Sequence, residues 1–429
     1  MSQPNYLPEV KEHYERLPYP TVDPQDEKKR LARTWLEQLP MVNHYCFRGR
    51  QKFDGGFRAL VAGGGTGNAT IFLAEQLRHT DAQIVHLDLS RASIAVAQER
   101  ARIRGLSNIR WIEDSLLNLP ALDLGQFDYI NCDGVLHHLL DPDAGLRALR
   151  SVLKADGAMA LMVYGSIGRT GVYQMQRLLR LANQDAGVDL KLAHAKEILA
   201  DLPPMNWYRL GADLYNDHKM GDAGIYDALL HSQDRAYTVT ELYEWLEDGH
   251  GLHLALSDIH RGRFPYLPEM TLPLEAPHLR KRLPGMSQRD RYAMSELLMG
   301  DLTRHHLYAT RGDAAAPYGD ADYIPFFFNE PLTGPSLEPM FTPKDGQPVF
   351  LQHPFLGLKV AVQAGRYAGT VLRHIDGQRT FAQIFELVRA DPRHRAAPPG
   401  DTALFADFRS TYEALNAIER MLLRHVSCR

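Results

Sequence analysis

Cysteine is scarce in this chain: Cys46, Cys132 and Cys428 are the three in 429 residues. They are too few for a disulfide framework and lack the spacing of a zinc site, so a reducing, cytoplasmic setting and no metal are expected. Long apolar runs are missing too. No stretch approaches the ~20 residues of a membrane span, and the polar start, Met1 to Tyr6, does not read as a signal peptide. Neither sign of charge dominates. The 48 Lys and Arg against 52 Asp and Glu leave a net charge of −4, whereas a reader of DNA or RNA normally carries a strongly basic domain. Short clusters such as Arg280, Lys281, Arg282 read as solvated surface, so no nucleic-acid partner is expected. The length leaves room for two or three cores.

Glycine, by contrast, is concentrated where chemistry needs it. The run Leu60, Val61, Ala62, Gly63, Gly64, Gly65, Thr66, Gly67, Asn68 reads as an apolar strand ending in a turn that opens a helix over 68–78. Glycines there let backbone approach a ligand where a Cβ would collide, and the helix start offers unpaired N–H groups. About twenty residues on, a second apolar strand, Ile84 to Leu87, ends in Asp88, placed to bind a ribose diol, with Leu89 beside it. A dinucleotide site requires G-x-G-x-x-G; here that last position is Asn68 and the third glycine comes one residue early, which favours a ligand without a pyrophosphate.

This spacing resembles the acid-x-G-x-G-x-G turn of class I S-adenosylmethionine (SAM) methyltransferases. Val61 stands where the family usually carries the acid that helps bind the cofactor's amino group, so that contact must come from elsewhere or from backbone. The resemblance continues in register. Trp111 to Ser115 looks like the third strand, and Asp114 and Ser115 would face adenine. Phe127 to His138 is similar to the fourth strand and following turn, where the methyl group is presented. Leu153 to Gly157, then Ala158 to Tyr164, resemble the glycine turn and fifth strand. The implied fold is α/β: a doubly wound, Rossmann-like, seven-stranded methyltransferase core, with its ligand across the carboxyl ends of the strands.

The resemblance implies that Gly63, Gly64, Gly65, Gly67, Asn68, Asp88, Leu89, Asp114, Ser115, Asp133 and Tyr19 contact SAM. Asp133, Tyr164, His137 and Tyr14 are the candidate catalytic residues. Asp133 and Tyr164 would border the methyl group. His137 and His138 invite a proton-transfer role, because histidine titrates near neutrality, yet the family often uses such a pair as packing. The run Tyr14 to Pro20 sets Tyr14 and Tyr19 around the rigid pair Pro18 and Pro20, in a segment that could fold over the cofactor or only anchor the chain. Helical periodicity is read over 27–39.

Beyond the fifth strand the chain exceeds a minimal methyltransferase. Helices are expected over 171–183 and 190–202, followed by Trp207, Tyr208, Tyr215, Asp217, His218, Asp222, Tyr226 and His231, an insertion suited to an acceptor pocket. Leu252 to Ile259 reads as a closing strand. The run Leu230 to Leu242 resembles a segment of multidomain bacterial protein lysine methyltransferases, with His231, Gln233, Asp234 and Arg235 as its site-like residues and Thr238 or Thr240 as a helix cap. Further on, 287–304 is helical, and 329–348 is a proline-rich spacer. A short strand at Val371 to Ile375, helices over 381–390 and 412–425, and an Asp376-Gly377 turn together resemble a small winged-helix fold, suited to peptide binding, to homodimerisation or to a structural role.

The expected organisation is a helical cover over 1–50, a SAM-binding core over 51–170, a helical insertion with closing strands over 171–270, a helical linker over 271–335 and the winged-helix-like unit over 336–429. The expected activity is SAM-dependent methyl transfer to an amine, favoured as a protein or peptide side chain. Alternatives are N- or O-methylation of a small molecule, or a non-catalytic SAM-binding regulatory or scaffold protein.

Overall fold

The computed structural model describes residues 6–184, 186–257, 266–272, 276–328, 332–342, 347–352 and 359–428. The chain divides into two compact units: Met1–Gln38, Phe53–Ser257 and Gly300–Arg311 in the first, Leu39–Lys52, Asp258–Met299 and Gly312–Arg429 in the second.

The first unit begins with helix α1, Pro8–Arg16. The stretch 27–39, expected to be helical, is not. A 3-10 turn covers Pro24–Lys28, capped by the Asp23 side chain, and the chain then runs irregularly to helix α2, Leu39–Cys46, which belongs to the second unit. The cause is competition from tertiary bonds. Tyr129 and Tyr308 donate to the Leu36 carbonyl at 2.8 and 3.0 Å, and Gln76 donates to the Glu37 carbonyl at 2.8 Å. These carbonyls satisfy the sheet rather than a helix of their own.

The parallel strands β1 Arg58–Ala62, β2 Gln83–Asp88, β3 Ile109–Glu113, β4 Phe127–Asp133 and β5 Leu153–Gly165 alternate with helices α3 Asn68–Gln76, α4 Arg91–Arg104 and α5 Pro142–Ser151. Ala59 to Ala62 are all buried, as expected where helices cover both faces of a parallel sheet. Two further strands, β7 His253–Ser257 and β8 Arg304–Thr310, close the sheet antiparallel in the order β3-β2-β1-β4-β5-β8-β7, and the two-residue β6, Ala236–Tyr237, pairs with the end of β5. This is the doubly wound, Rossmann-like methyltransferase architecture. The β8 strand falls inside the stretch expected as a helical linker, 271–335. Its buried run His305 to Thr310 lies between β5 and β7, a pairing set by residues far away in sequence. The last two residues read into the closing strand, 258–259, lie outside the described residues.

Between β5 and β7 stands the insertion. Helices α6 Thr170–Ala182 and α7 Val188–Ala200 share an apolar cluster of Val172, Met175, Leu179, Leu192 and Ala195. Tyr226–Leu230 then makes a wide π turn, a feature frequent at functional sites. Thr238 caps the following helix in a reciprocal box with Glu241.

In the second unit, the core is built on Leu372, Phe381, Phe385, Leu404, Phe408 and Leu415. Helices cover Gln288–Met299, Ala368–His374, Phe381–Ala390 and Asp401–Ala417. Strands β9 Tyr323–Phe327 and β12 Met421–His425 pair antiparallel, as do β10 Val349–Gln352 and β11 Lys359–Val362. Two expectations are corrected. Val371 to Ile375 is not a strand: Val371 and Leu372 are buried in a helix, and Ile375 caps its end. The final helix starts earlier than 412 and stops at Ala417, because Glu419 adopts a left-handed φ of 55° and Met421 to Leu423, buried in succession, join β9. The residues 329–331 and 343–346 of the proline-rich spacer lie outside the described residues.

Candidate active site

The turn after β1 has the left-handed backbone its glycines allow. Gly65 has φ 50°, donates its N–H to Asp88 Oδ2 at 2.7 Å, and a Cβ there would come 2.9 Å from the Tyr19 carbonyl. Gly67 has φ 95° and lets α3 start within reach of α4, where a Cβ would meet that of Ala97 at 2.7 Å. Gly63, Gly64 and Gly65 keep accessible surface at the carboxyl end of the sheet. The loop is held from below: Arg100, fully buried, donates to the Thr66 carbonyl at 2.7 Å and to Asn68 Oδ1 at 2.8 Å while pairing with buried Glu27. Asn68 thus braces the turn.

Asp88 also accepts from Ser90 N at 2.8 Å, with Leu89 half-buried between. Burial raises its carboxyl pKa and the N–H donors oppose that. At the end of β3, Asp114 accepts from Ser115 N and from Asn118, both at 2.7 Å, and its own N–H donates to the Asp88 carbonyl. Ser115 caps the turn that follows. The two acid-bearing strand ends therefore lie side by side.

A strap formed by α1 and residues 17–22 lies across these strand ends. Glu15 accepts from Arg91 N and Ala92 N at the start of α4, Ser90 donates to the Tyr14 carbonyl at 3.1 Å, and Thr66 donates to the Pro20 carbonyl at 2.8 Å. On its other side, the Tyr14 hydroxyl donates to Asp227 at 2.9 Å and the Tyr19 hydroxyl to Asp217 at 2.9 Å. The strap therefore joins the glycine turn to the insertion.

Between them lies a polar chamber. Asp133, at the end of β4, sits deep in the unit yet keeps accessible surface, so it faces an internal space. Burial lifts its pKa to about 6, and Arg304 opposes the lift. Tyr164 donates to Asp227 Oδ2 at 3.3 Å, stacks on His137 with centroids 3.8 Å apart, and carries the Arg169 guanidinium over its ring at 3.5 Å. Arg169 pairs with Asp234 at 3.7 Å, and Arg304 with Asp217 at 3.2 Å. His138 stacks on His231 and bonds to the Gln233 carbonyl at 2.9 Å. His137 is fully buried, and neither ring nitrogen has a protein partner among the described residues. Burial drives its pKa well below the usual value, so it is a neutral imidazole. Arg235 lies over the Tyr237 ring, 4.7 Å from its centroid.

The structure thus brings Tyr14, Tyr164, His137 and Asp133 to one chamber, with Tyr19 and Asp88 at its glycine-turn side. Sequence reasoning missed Asp227, Arg169, Arg304 and Glu37. Asp227 follows Tyr226 in the aromatic insertion, which was its available signal; the arginines gave none. Among the described residues no group of three or more His, Cys, Asp or Glu side chains could hold a metal ion, and His218 instead bonds to the Tyr208 hydroxyl.

A family model described as "Methyltransferase domain" matches residues 60–159. An uncharacterized protein of Synechococcus sp. is 32% identical over 302 residues, 70% of each chain. The chain belongs to the class I SAM-dependent methyltransferases. The ubiquinone biosynthesis O-methyltransferase of Albidiferax ferrireducens is 31% identical to this methyltransferase over 121 residues, 28% of the chain and 44% of that enzyme. PKMT2 from Rickettsia typhi, solved in complex with AdoHcy, shares the fold with a TM-score of 0.58 at 13% identity, covering 91% of this chain and 76% of that one.

The residues present fit the methyltransferase cofactor. The glycine turn, the Asp88 carboxylate at the end of β2 and a chamber holding Asp133, Asp217, Asp227 and Asp234 against Arg169 and Arg304 suit a ligand carrying positive charge. When bound, SAM supplies a methyl group already activated by its sulfonium. The methyltransferase has to align the acceptor, exclude water and move a proton where the acceptor carries one.

Proposed function

We propose that this methyltransferase modifies an amine, with a protein or peptide side chain as the favoured carrier. The reading rests on Asp227, a buried carboxylate gripped by the Tyr14 and Tyr164 hydroxyls in the chamber that also holds Asp133. An amine arrives as an ammonium ion. An aromatic face, which the Tyr14 ring can offer, stabilises a cation by ~0.5 to 2 kcal/mol, and a carboxylate whose pKa is raised by burial accepts a proton more readily than an ordinary one. The excess of acids over arginines works the same way. The fold shared with PKMT2 over most of the chain and the 230–242 resemblance to protein lysine methyltransferases agree with a large acceptor.

A second reading, a small N- or O-acceptor, is favoured by the closure of the strap on Thr66 and Asp217 and by a cleft of about 420 Å³ lined by His13, Tyr226 and His231, within the size range of small-ligand pockets. Incubation with methyl-labelled SAM and a lysate of the host separates the two. Label in acid-stable methylated side chains of protein supports the first reading; label confined to metabolites overturns it in favour of the second.

A further inference from the structure

We propose that Glu37 supplies the carboxylate that β1 lacks, and receives the amino group of the cofactor's methionine part. The inference rests on SAM being the ligand of this cleft. Val61, at the place where the resemblance calls for an acid, is the register partner of Asn131 across β1 and β4. Register partners on neighbouring strands project to the same face, so Val61, Tyr129, Asn131 and Asp133 share one face of the sheet. Along it runs the segment before α2: the Tyr129 hydroxyl takes the Leu36 carbonyl, the Asn131 amide donates to Glu37 Oε1, and Asp133 comes next toward the strand end. The Glu37 carboxylate therefore stands beside the position that the Val61 side chain leaves apolar.

Its placement is built, not incidental. Glu37 is fully buried, and its backbone is fixed by the Gln76 bond to its own carbonyl and by two tyrosine bonds to that of Leu36. Oε2 has no hydrogen-bond partner among the described residues. A half-satisfied buried carboxyl is costly, and a cationic amino group is the partner that would remove the cost. Burial, then the neighbouring Asp133, push the Glu37 pKa up to about 8, partly eased by Thr34. Tyr129 and Tyr308, the other titratable groups bonded to this segment, donate to the Leu36 carbonyl and not to the Glu37 carboxyl. In the free protein at pH 7 Glu37 is therefore mostly protonated, and an arriving ammonium displaces that proton.

Calorimetric titration of the full chain with AdoHcy and with 5′-methylthioadenosine, which lacks the amino-acid part, tests this. Wild-type protein is expected to release about one proton per AdoHcy at pH 7, read from buffers of different ionisation enthalpy, and none on binding 5′-methylthioadenosine. Glu37→Gln is expected to weaken AdoHcy ten- to a hundredfold, abolish the proton release and leave 5′-methylthioadenosine within twofold. Equal losses for both ligands, or AdoHcy binding without proton release by the wild type, would overturn the assignment; the latter needs no variant to fold. Absence of AdoHcy binding by the wild type would instead remove the cofactor reading itself.

Discussion

The Tyr14 hydroxyl donates to Asp227 Oδ1 at 2.9 Å across 213 residues of sequence, so the first helix completes the hydrogen bonding of a carboxylate in the insertion. That bond also lowers the Asp227 pKa against the rise caused by burial. Tyr14→Phe removes the donor and keeps the ring. With the acceptor found by labelling, kcat is expected to fall by the ~1.5 to 3 kcal/mol of a hydrogen bond to a charged group, ten- to a hundredfold. The acid limb of the kcat profile should move to higher pH, while AdoHcy affinity stays within twofold. An unmoved pH profile would show that Tyr14 only anchors the strap.

Arg100 and Glu27 form a buried pair, exposed by only 1% and 3% at their side chains, and Arg104 joins them. Removing one partner of such a pair leaves an uncompensated charge and typically costs ~3 to 5 kcal/mol. Glu27→Ala should lower the stability of the first unit by that order. Tryptophan fluorescence during urea unfolding reads it selectively, because Trp35, Trp111, Trp207 and Trp245 all lie in that unit. Loosening the glycine turn through Arg100 should weaken AdoHcy as well.

The core was legible because its signals are local. Buried parallel strands appear as apolar runs, and the glycine turn, Asp88 and the strand-four turn follow one another in chain order. Thr238 announced its helix by capping chemistry. Signals fail where distant partners decide. The stretch 27–39 carries a helical period but gives its carbonyls to Tyr129, Tyr308 and Gln76; β8 becomes a strand only because β5 and β7 flank it. The missing acid at Val61 implies a contact from elsewhere or from backbone, yet nothing in the sequence around Glu37 shows that Asn131 will meet it. Asp227 has a local signal in the aromatic insertion around Tyr226, but its bonding partner Tyr14 lies 213 residues away.

Buried titratable groups set opposed pH limits on the free first unit. Burial lowers His13 to about 4 and His86 to about 3, so the unfolded chain binds their protons first. Their contribution is full above about pH 6.5 and is lost as pH falls toward those values. Glu37, raised to about 8, has the opposite sign: its contribution is full below about pH 4.5 and is lost as pH rises through 8. Fluorescence-monitored melting should therefore show a maximum between these limits. Glu37→Gln should flatten the alkaline decline and His86→Gln the acid one; a Glu37→Gln profile parallel to wild type from pH 5 to 8 would contradict the raised carboxyl.

Asp88 has two duties that a pair of substitutions can separate. Without ligand its oxygens accept from Gly65 N and Ser90 N at 2.7 and 2.8 Å, fixing the glycine turn to the start of α4; with ligand, we propose, it binds the ribose diol. Asp88→Ala removes both and should weaken AdoHcy by the ~1.5 to 3 kcal/mol of a charge-assisted hydrogen bond. Asp88→Asn keeps one of these acceptors in its amide oxygen and sets its NH2 group against the other N–H, so it retains part of the turn's bonding and loses the charge. The ribose role predicts that Asp88→Asn binds AdoHcy about as weakly as Asp88→Ala while melting closer to wild type than Asp88→Ala does. If affinity falls only in step with the loss of stability across the two variants, Asp88 serves the turn alone and the ribose lies elsewhere.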